Sequence, residues 1–219
     1  MTKAFIFDLD GVIVDTAKFH YLTWKNLADS LGIPFSEEKN EQLKGVSRAK
    51  SLEKILEWGH KILPETEFES LMFKKNEEYL SFVNQMTEKD ILPGVMKTLN
   101  YLRSNGYSIA IGSASKNARL ILSKVGLEAY FEEIIDGNKV TKAKPDPEVF
   151  LKGIDALGGT PKYAIVFEDS LAGIKAANTA RMTSVGIGDK SILKEADFNF
   201  QDFIEIDKSV IETLIKFKK

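Results

Sequence analysis

Short apolar runs alternate with longer segments of helical periodicity along most of this chain. Ala4-Phe5-Ile6-Phe7, Ser108-Ile109-Ala110-Ile111-Gly112, Glu133-Ile134-Ile135-Asp136, Ala164-Ile165-Val166-Phe167 and Thr183-Ser184-Val185-Gly186-Ile187 are bounded by turn residues and predict buried strands. Met96 to Ser104, Asn117 to Val125, Pro147 to Leu157 and Ser170 to Ala180 lie between or after them with helical spacing, and each ends near a glycine or another small residue. Strands alternating with helices of this length predict βαβ units and a parallel α/β sheet. Between the first strand and the rest, the pattern changes. Phe19, Trp24, Leu27, Ala28 and Leu31 repeat at helical spacing, as do Leu52, Ile55 and Leu56, then Phe68, Leu71, Met72, Tyr79, Leu80 and Val83. No strand interrupts them. The expected organisation is an α/β core domain over 1–15 and 88–219, with a helical-bundle cap domain over 16–87. Two chain crossings join the parts, at Val14-Asp15-Thr16, with Thr16 as the hinge, and at Thr87 to Gly94; such a bundle is placed to act as a moving lid.

Four polar clusters fall at or just after predicted strand ends, where parallel sheets bind ligands. Asp8 and Asp10 follow the first strand, with Gly11 allowing a sharp turn. Two neighbouring carboxylates at a buried strand end are costly without a cation or a shared proton, which points to a divalent metal, a nucleophilic carboxylate and an acid/base beside it. Gly112-Ser113-Ala114-Ser115-Lys116-Asn117 opens a helix with hydroxyls and free amides suited to phosphate. Lys142-Ala143-Lys144-Pro145-Asp146-Pro147 places a cation in proline-stiffened backbone, and Glu168-Asp169-Ser170 adds acids after the fourth strand. Taken singly, Ser113 reads as a helix cap, Lys144 as a surface charge and Glu168-Asp169-Ser170 as acids at a helix N-terminus. Together they supply what phosphoryl transfer needs, positioning and charge neutralisation.

Composition narrows the metal and the partners. The 219 residues contain no cysteine, which excludes disulfides and thiolate catalysis, and two histidines, His20 and His60, which argue against a multi-histidine site; a metal is expected to rest mainly on oxygen, which favours Mg2+. Lys+Arg 30 against Asp+Glu 32 leaves a net charge of -2, which argues against nucleic acid as the main partner. Asp8 and Asp10 break the first apolar run too early for a signal peptide or a membrane span, so a cytoplasmic protein without a membrane partner is expected. Nothing calls for an obligate partner, and a monomer is expected. The basic tail with Lys216, Lys218 and Lys219 is expected to be a frayed, solvated end.

Asp8-Leu9-Asp10-Gly11-Val12-Ile13, then Ser113, Lys144 and Glu168-Asp169, in this order, resemble the four motifs of the haloacid dehalogenase superfamily. The helical insert resembles that superfamily's cap, and His20, Trp24, Leu43-Lys44-Gly45-Val46-Ser47-Arg48 and Ser113 to Asn117 resemble its β-phosphoglucomutase branch. The resemblance implies a Rossmann-like core with the helical bundle inserted. It also implies these roles. Asp8 accepts the phosphoryl group and Asp10 serves as acid and base. Asp8, the carbonyl of Asp10 and Asp169 hold Mg2+, with Glu168 nearby. Ser113 and Lys144 bind the transferring phosphoryl. Arg48, Ser115, Lys116 and Asn117 hold the sugar's other phosphate. His20 and Lys75 tie Asp10 to closure, and Trp24, Lys44, Gly45, Val46, Ser47, Ser51 and Ala114 complete the substrate site. The implied reaction interconverts β-D-glucose 1-phosphate and D-glucose 6-phosphate, with β-glucose 1,6-bisphosphate as activator and intermediate. Two alternatives stand beside it: a Mg2+-dependent phosphatase of small sugar phosphates on the same scaffold, and a non-catalytic sugar-phosphate sensor.

Overall fold

The computed structural model describes residues 3–219. Six strands among them, β1 (Ala4–Phe7), β2 (Ser108–Gly112), β3 (Glu133–Ile135), β4 (Ala164–Glu168), β5 (Thr183–Ile187) and β6 (Phe198–Phe200), form one parallel sheet in the order β3-β2-β1-β4-β5-β6. The chain turns back on itself at β1, whose neighbours are β2 and β4, and this is where the rule for open α/β sheets places a ligand, beyond the strands' carboxyl ends.

Side-chain alternation decides what reaches that point. Phe5 and Phe7 enter one apolar layer with Phe167, and Phe7 stacks on Phe167 at 4.8 Å between centroids. Ala4 and Ile6 enter the opposite layer with Ala164 and Val166. Each fully buried phenylalanine contributes roughly 1.5–3 kcal/mol. Helices α5 (Val95–Ser104), α6 (Ala118–Lys124), α7 (Glu148–Ala156) and α8 (Leu171–Thr179) occur within one or two residues of the segments the pattern predicts.

Helices α1 (Ala17–Ser30), α2 (Glu37–Glu41), α3 (Arg48–Trp58) and α4 (Glu65–Val83) follow β1 and bury an apolar cluster of their own, in which Trp24, Leu27, Ile33, Leu52 and Ile55 meet. The two crossings lie side by side: Val14 forms a β-bridge with Ile91, and the Asp15 amide donates to the Asp90 carbonyl at 3.0 Å.

Besides the short α2, two further elements were not expected. Strand β6 has only three half-buried residues, too few for a pattern, and it is held as the edge beside β5. Helix α9 (Lys208–Lys216) is capped by Asp207, whose carboxylate accepts from the Val210 amide at 3.0 Å, and buries Ile211 and Leu214. The tail expected to fray is anchored instead. Lys219 Nζ lies 2.7 Å from Asp197 Oδ2, and the Phe217 carbonyl accepts from Lys3 Nζ at 3.1 Å.

Candidate active site

Three strand ends stand level. The Asp8 amide donates to the Phe167 carbonyl at 2.9 Å, continuing the β1–β4 ladder, and the Ser113 amide does the same to Ile135 across β2 and β3. Alternation then turns Asp8 and Glu168 toward the layer of Ile6 and Val166, the layer from which Lys144 enters over the Phe150 ring. Lys144 is 1% exposed. Its ammonium donates to Asp8 Oδ1 at 2.5 Å and forms a shorter pair with Glu168 Oε1. The other oxygen of Glu168 accepts from the Ser170 amide and hydroxyl at 2.9 and 2.8 Å. Lys144 and Glu168 therefore lie beneath the cavity floor, with Asp8 above them.

The charges on this floor do not balance by themselves. Burial, first, and then Glu168, Asp10 and Asp169 push the Asp8 carboxyl well above its ordinary range, against the pull of Lys144. Burial and Glu168 likewise bring Asp169 up to about 7, against Lys44. The loop between α2 and α3 supplies Lys44, whose ammonium is 3.3 Å from Asp169 Oδ2 and 2.5 Å from Glu41 Oε1. Gly11, at φ +82°, lies so close to the Asp169 carboxylate that a Cβ there would overlap it.

Buried carboxylates with raised proton affinity are a setting that a divalent cation relieves. Among the described residues no three His, Cys, Asp or Glu side chains converge as a ready cage. Mg2+ does not need one, since it keeps several waters and takes one or two carboxylates. Asp8, Asp169 and the Asp10 carbonyl are donors of that kind and fit it. Glu168 has both oxygens engaged by Lys144 and Ser170, so it serves such a site from behind.

Asp10, two residues from Asp8, has the opposite environment. Its Oδ1 accepts from Thr16 Oγ1 at 2.5 Å and from the Tyr79 hydroxyl at 3.3 Å, and His20 Nε2 stands 3.7 Å away. Burial alone would raise the Asp10 carboxyl, but His20, Thr16 and Tyr79 outweigh it and hold it below its ordinary value. Behind His20, Lys75 Nζ is 3.1 Å from Nδ1 and lies over the rings of Trp24 and Tyr79 at 4.6 and 4.7 Å. Lys75 is 3% exposed and has no carboxylate in ion-pair range among the described residues. Burial, then Arg48, lower it to about 7. A Lys75 ammonium donating to Nδ1 would leave the proton of a neutral His20 ring on Nε2, facing Asp10.

One cavity of about 850 Å³ joins these groups. Asp8, Asp10, Asp169 and Ser113 border it from the sheet, and Ala114, Ser115, Lys116 and Asn117 from the loop after β2. His20, Trp24 and Lys75 line it from α1 and α4, and Lys44, Gly45, Val46, Ser47, Arg48 and Ser51 from the start of α3 and the loop before it. Gly45 (φ +71°) lets this loop come down on the sheet side, since a Cβ there would stand 2.6 Å from Ser170 Oγ. Ser47 caps α3. The Ser113 hydroxyl accepts from the Ser115 amide at 3.1 Å, and the Ser115 hydroxyl from the Asn117 amide at 3.2 Å, which folds this loop into a tight stair. Thr16 lies outside the cavity wall, fully buried against Asp10.

Two contributors were not foreseen. Tyr79, read as a packing position on α4, reaches Asp10, and its place one turn after Lys75 is the signal that would have found it. Asn76, between the charged residues Lys75 and Glu77, accepts hydrogen bonds from both Arg48 and Asn117.

Comparison with known proteins places this geometry. A family model described as haloacid dehalogenase-like hydrolase matches residues 2–181. The β-phosphoglucomutase of Bacillus subtilis (strain 168) is 41% identical over 197 residues, 89% of this chain and 87% of that protein. The crystal structure of β-phosphoglucomutase from Clostridium difficile superposes with a TM-score of 0.94 at 41% identity, covering 98% of this chain and 97% of that one. The fructose-1-phosphate phosphatase of Escherichia coli (strain K12) is 29% identical, covering 83% of this chain and 94% of that protein. The chain belongs to the haloacid dehalogenase-like hydrolase family, and within it is similar to the β-phosphoglucomutases.

Proposed function

We propose that this protein interconverts β-D-glucose 1-phosphate and D-glucose 6-phosphate by phosphoryl transfer through Asp8, with β-glucose 1,6-bisphosphate as the intermediate. One observation carries the choice. Arg48, Ser115, Lys116 and Asn117 gather on the same cavity as Asp8 and Ser113, so a sugar with two phosphates has a second anion-binding group to meet. Arg48 has no carboxylate in ion-pair range among the described residues, which leaves its charge for a phosphate. A phosphatase of small monophosphates needs only the first group.

The residues divide the work. Lys144 holds Asp8 Oδ1 and leaves Oδ2 to attack phosphorus. As that bond forms, the bond from phosphorus to the sugar oxygen breaks, and Asp10 gives that oxygen its proton. Thr16 and Tyr79 occupy Asp10 Oδ1, so Oδ2 is the atom free for the exchange. Starting from the bisphosphate, that first half releases glucose 6-phosphate. In the second half the 6-hydroxyl of an incoming β-glucose 1-phosphate gives its proton to Asp10 and takes the phosphoryl group from Asp8, which restores the bisphosphate. Ser113 donates to the transferring phosphoryl. Asp8, Asp169 and the Asp10 carbonyl would hold Mg2+, which when bound offsets charge on the phosphoryl oxygens. Helices α1 to α4 would act as a cap that keeps water from the aspartyl-phosphate until the next sugar hydroxyl reaches it; the bisphosphate then formed presents its other end to Asp8 for the next turnover.

The test is a product assay with each anomer of glucose 1-phosphate and a trace of the bisphosphate. Glucose 6-phosphate from the β anomer is expected. Free glucose and inorganic phosphate as main products would establish the phosphatase, and turnover of the α anomer alone would overturn the stereochemistry.

A further inference from the structure

Asn76 lies on α4 and does not border the cavity, yet its side-chain oxygen joins three elements. Arg48 Nη2, in the first turn of α3, donates to Asn76 Oδ1 at 2.5 Å. Asn117 Nδ2, at the N-cap of α6 on the sheet side, donates to the same atom at 3.1 Å. These are contacts across 28 and 41 residues of sequence, so one acceptor ties the helical segment to itself and to the sheet.

We infer that Asn76 is a positioning residue, whose amide oxygen sets Arg48 and Asn117 in the arrangement that receives the substrate's non-reacting phosphate. The inference rests on the two-phosphate reading above and adds how its second anion group is assembled. Three observations support it. Both donors belong to cavity-lining residues, whereas Asn76 does not touch the cavity, so it acts through them. Asn76 accepts from the Arg48 guanidinium, which burial already disfavours as a cation. The acceptor is also neutral: an amide oxygen orients a guanidinium without cancelling its charge, whereas a carboxylate there would compete with phosphate for the same fork. Because Asn117 comes from the sheet side and Arg48 from the helical side, the pair is complete only when the two are together. That couples recognition of the distal phosphate to closure.

The experiment compares wild type with Asn76→Leu, which keeps the volume and removes the acceptor, and Asn76→Asp, which keeps the acceptor and adds charge. Steady-state kinetics with β-glucose 1-phosphate and bisphosphate should show KM for the bisphosphate raised about tenfold in Asn76→Leu, with kcat within about twofold, as expected for the loss of one hydrogen bond to a charged group. Asn76→Asp should raise KM at least as much. In a double-mutant cycle, Asn76→Leu should cost clearly less on an Arg48→Ala background than alone. Wild-type KM in Asn76→Leu, or in Asn76→Asp, would overturn the inference. So would additive effects in the cycle, which mark a merely structural residue. Bisphosphate binding read by tryptophan fluorescence separates this from the function itself. Wild type that binds without turnover defeats the mutase, with tighter binding by wild type than by Asn76→Leu still supporting Asn76. Equal binding by the two defeats the role of Asn76 whatever the turnover.

Discussion

At the floor of the cavity, the ammonium of Lys144 is closed in by Asp8 and Glu168; at its roof, the ammonium of Lys75 sits among Trp24, Tyr79 and His20 with no carboxylate in range among the described residues. Both lysines are buried, at 1% and 3% exposure, and burial disfavours the charge of each. The outcomes are opposite. Two carboxylates lift Lys144 above its ordinary value, while Lys75 falls to about 7. The same contrast separates the two aspartates, with Asp8 raised by burial and then by its anionic neighbours, and Asp10 held low by neutral and cationic donors that outweigh its burial. The floor is thus a fixed ionic platform joined to the strand ends, where a charge is always present. At the roof it is Lys75 that lies near its titration point, on a separate cluster of helices.

Removing one member of the platform should be the most damaging change. Lys144→Met leaves Asp8 and Glu168 buried without their cation, and thermal or urea unfolding should register a loss of about 3–5 kcal/mol. A loss near zero would mean that the floor is no platform. At the roof the sign reverses. Lys75→Met should stabilise the fold by roughly 1–3 kcal/mol at pH 6, since it removes an unpaired buried charge, while lowering turnover. The pH dependence follows from the depressed value. Between about 7 and the ordinary 10.5 the unfolded chain holds a proton that the folded Lys75 has lost. Wild-type stability from this group therefore rises with pH across that window and is least below it, and the slope should vanish in Lys75→Met. Equal slopes in the two proteins would break the comparison. The smallest effect belongs to Tyr79→Phe, which takes one donor from Asp10 Oδ1 at a cost of about 0.5–1.5 kcal/mol in kcat/KM. Asp10 should then titrate higher, moving the acid fall of kcat/KM upward; an unmoved profile would remove Tyr79 from the acid/base group.

The platform was far more legible in the sequence than the roof. Asp8, Ser113, Lys144 and Glu168-Asp169 each follow a strand, and a parallel sheet brings successive strand ends to one edge whatever lies between, so order along the chain already implies proximity. The strands β1 to β5 and the long helices were likewise marked by runs and periodicity. The roof depends on which face of α4 turns inward and on contacts across tens of residues. Tyr79 could have been found only through its place one turn after Lys75, and nothing in the spacing of Asn76 distinguishes it from the exposed Glu77 beside it on the same helix. Glu168 shows the limit from the other side. Its position after β4 marked it as an acid of the site, but its engagement with Lys144 and Ser170 appears only in three dimensions. Strand β6 and the anchored tail escaped notice because three half-buried residues and a lysine paired across 22 positions leave no periodic trace.

The central claim is that the Asp8 carboxylate carries the phosphoryl group. Mass spectrometry of the intact protein and its peptides, after brief reaction with acetyl phosphate and acid quench, tests it directly. A phosphoryl adduct on Asp8 in wild type is expected, absent in Asp8→Asn together with a loss of turnover of at least about 10⁴-fold. An adduct on any other residue, or undiminished turnover in Asp8→Asn, would contradict it.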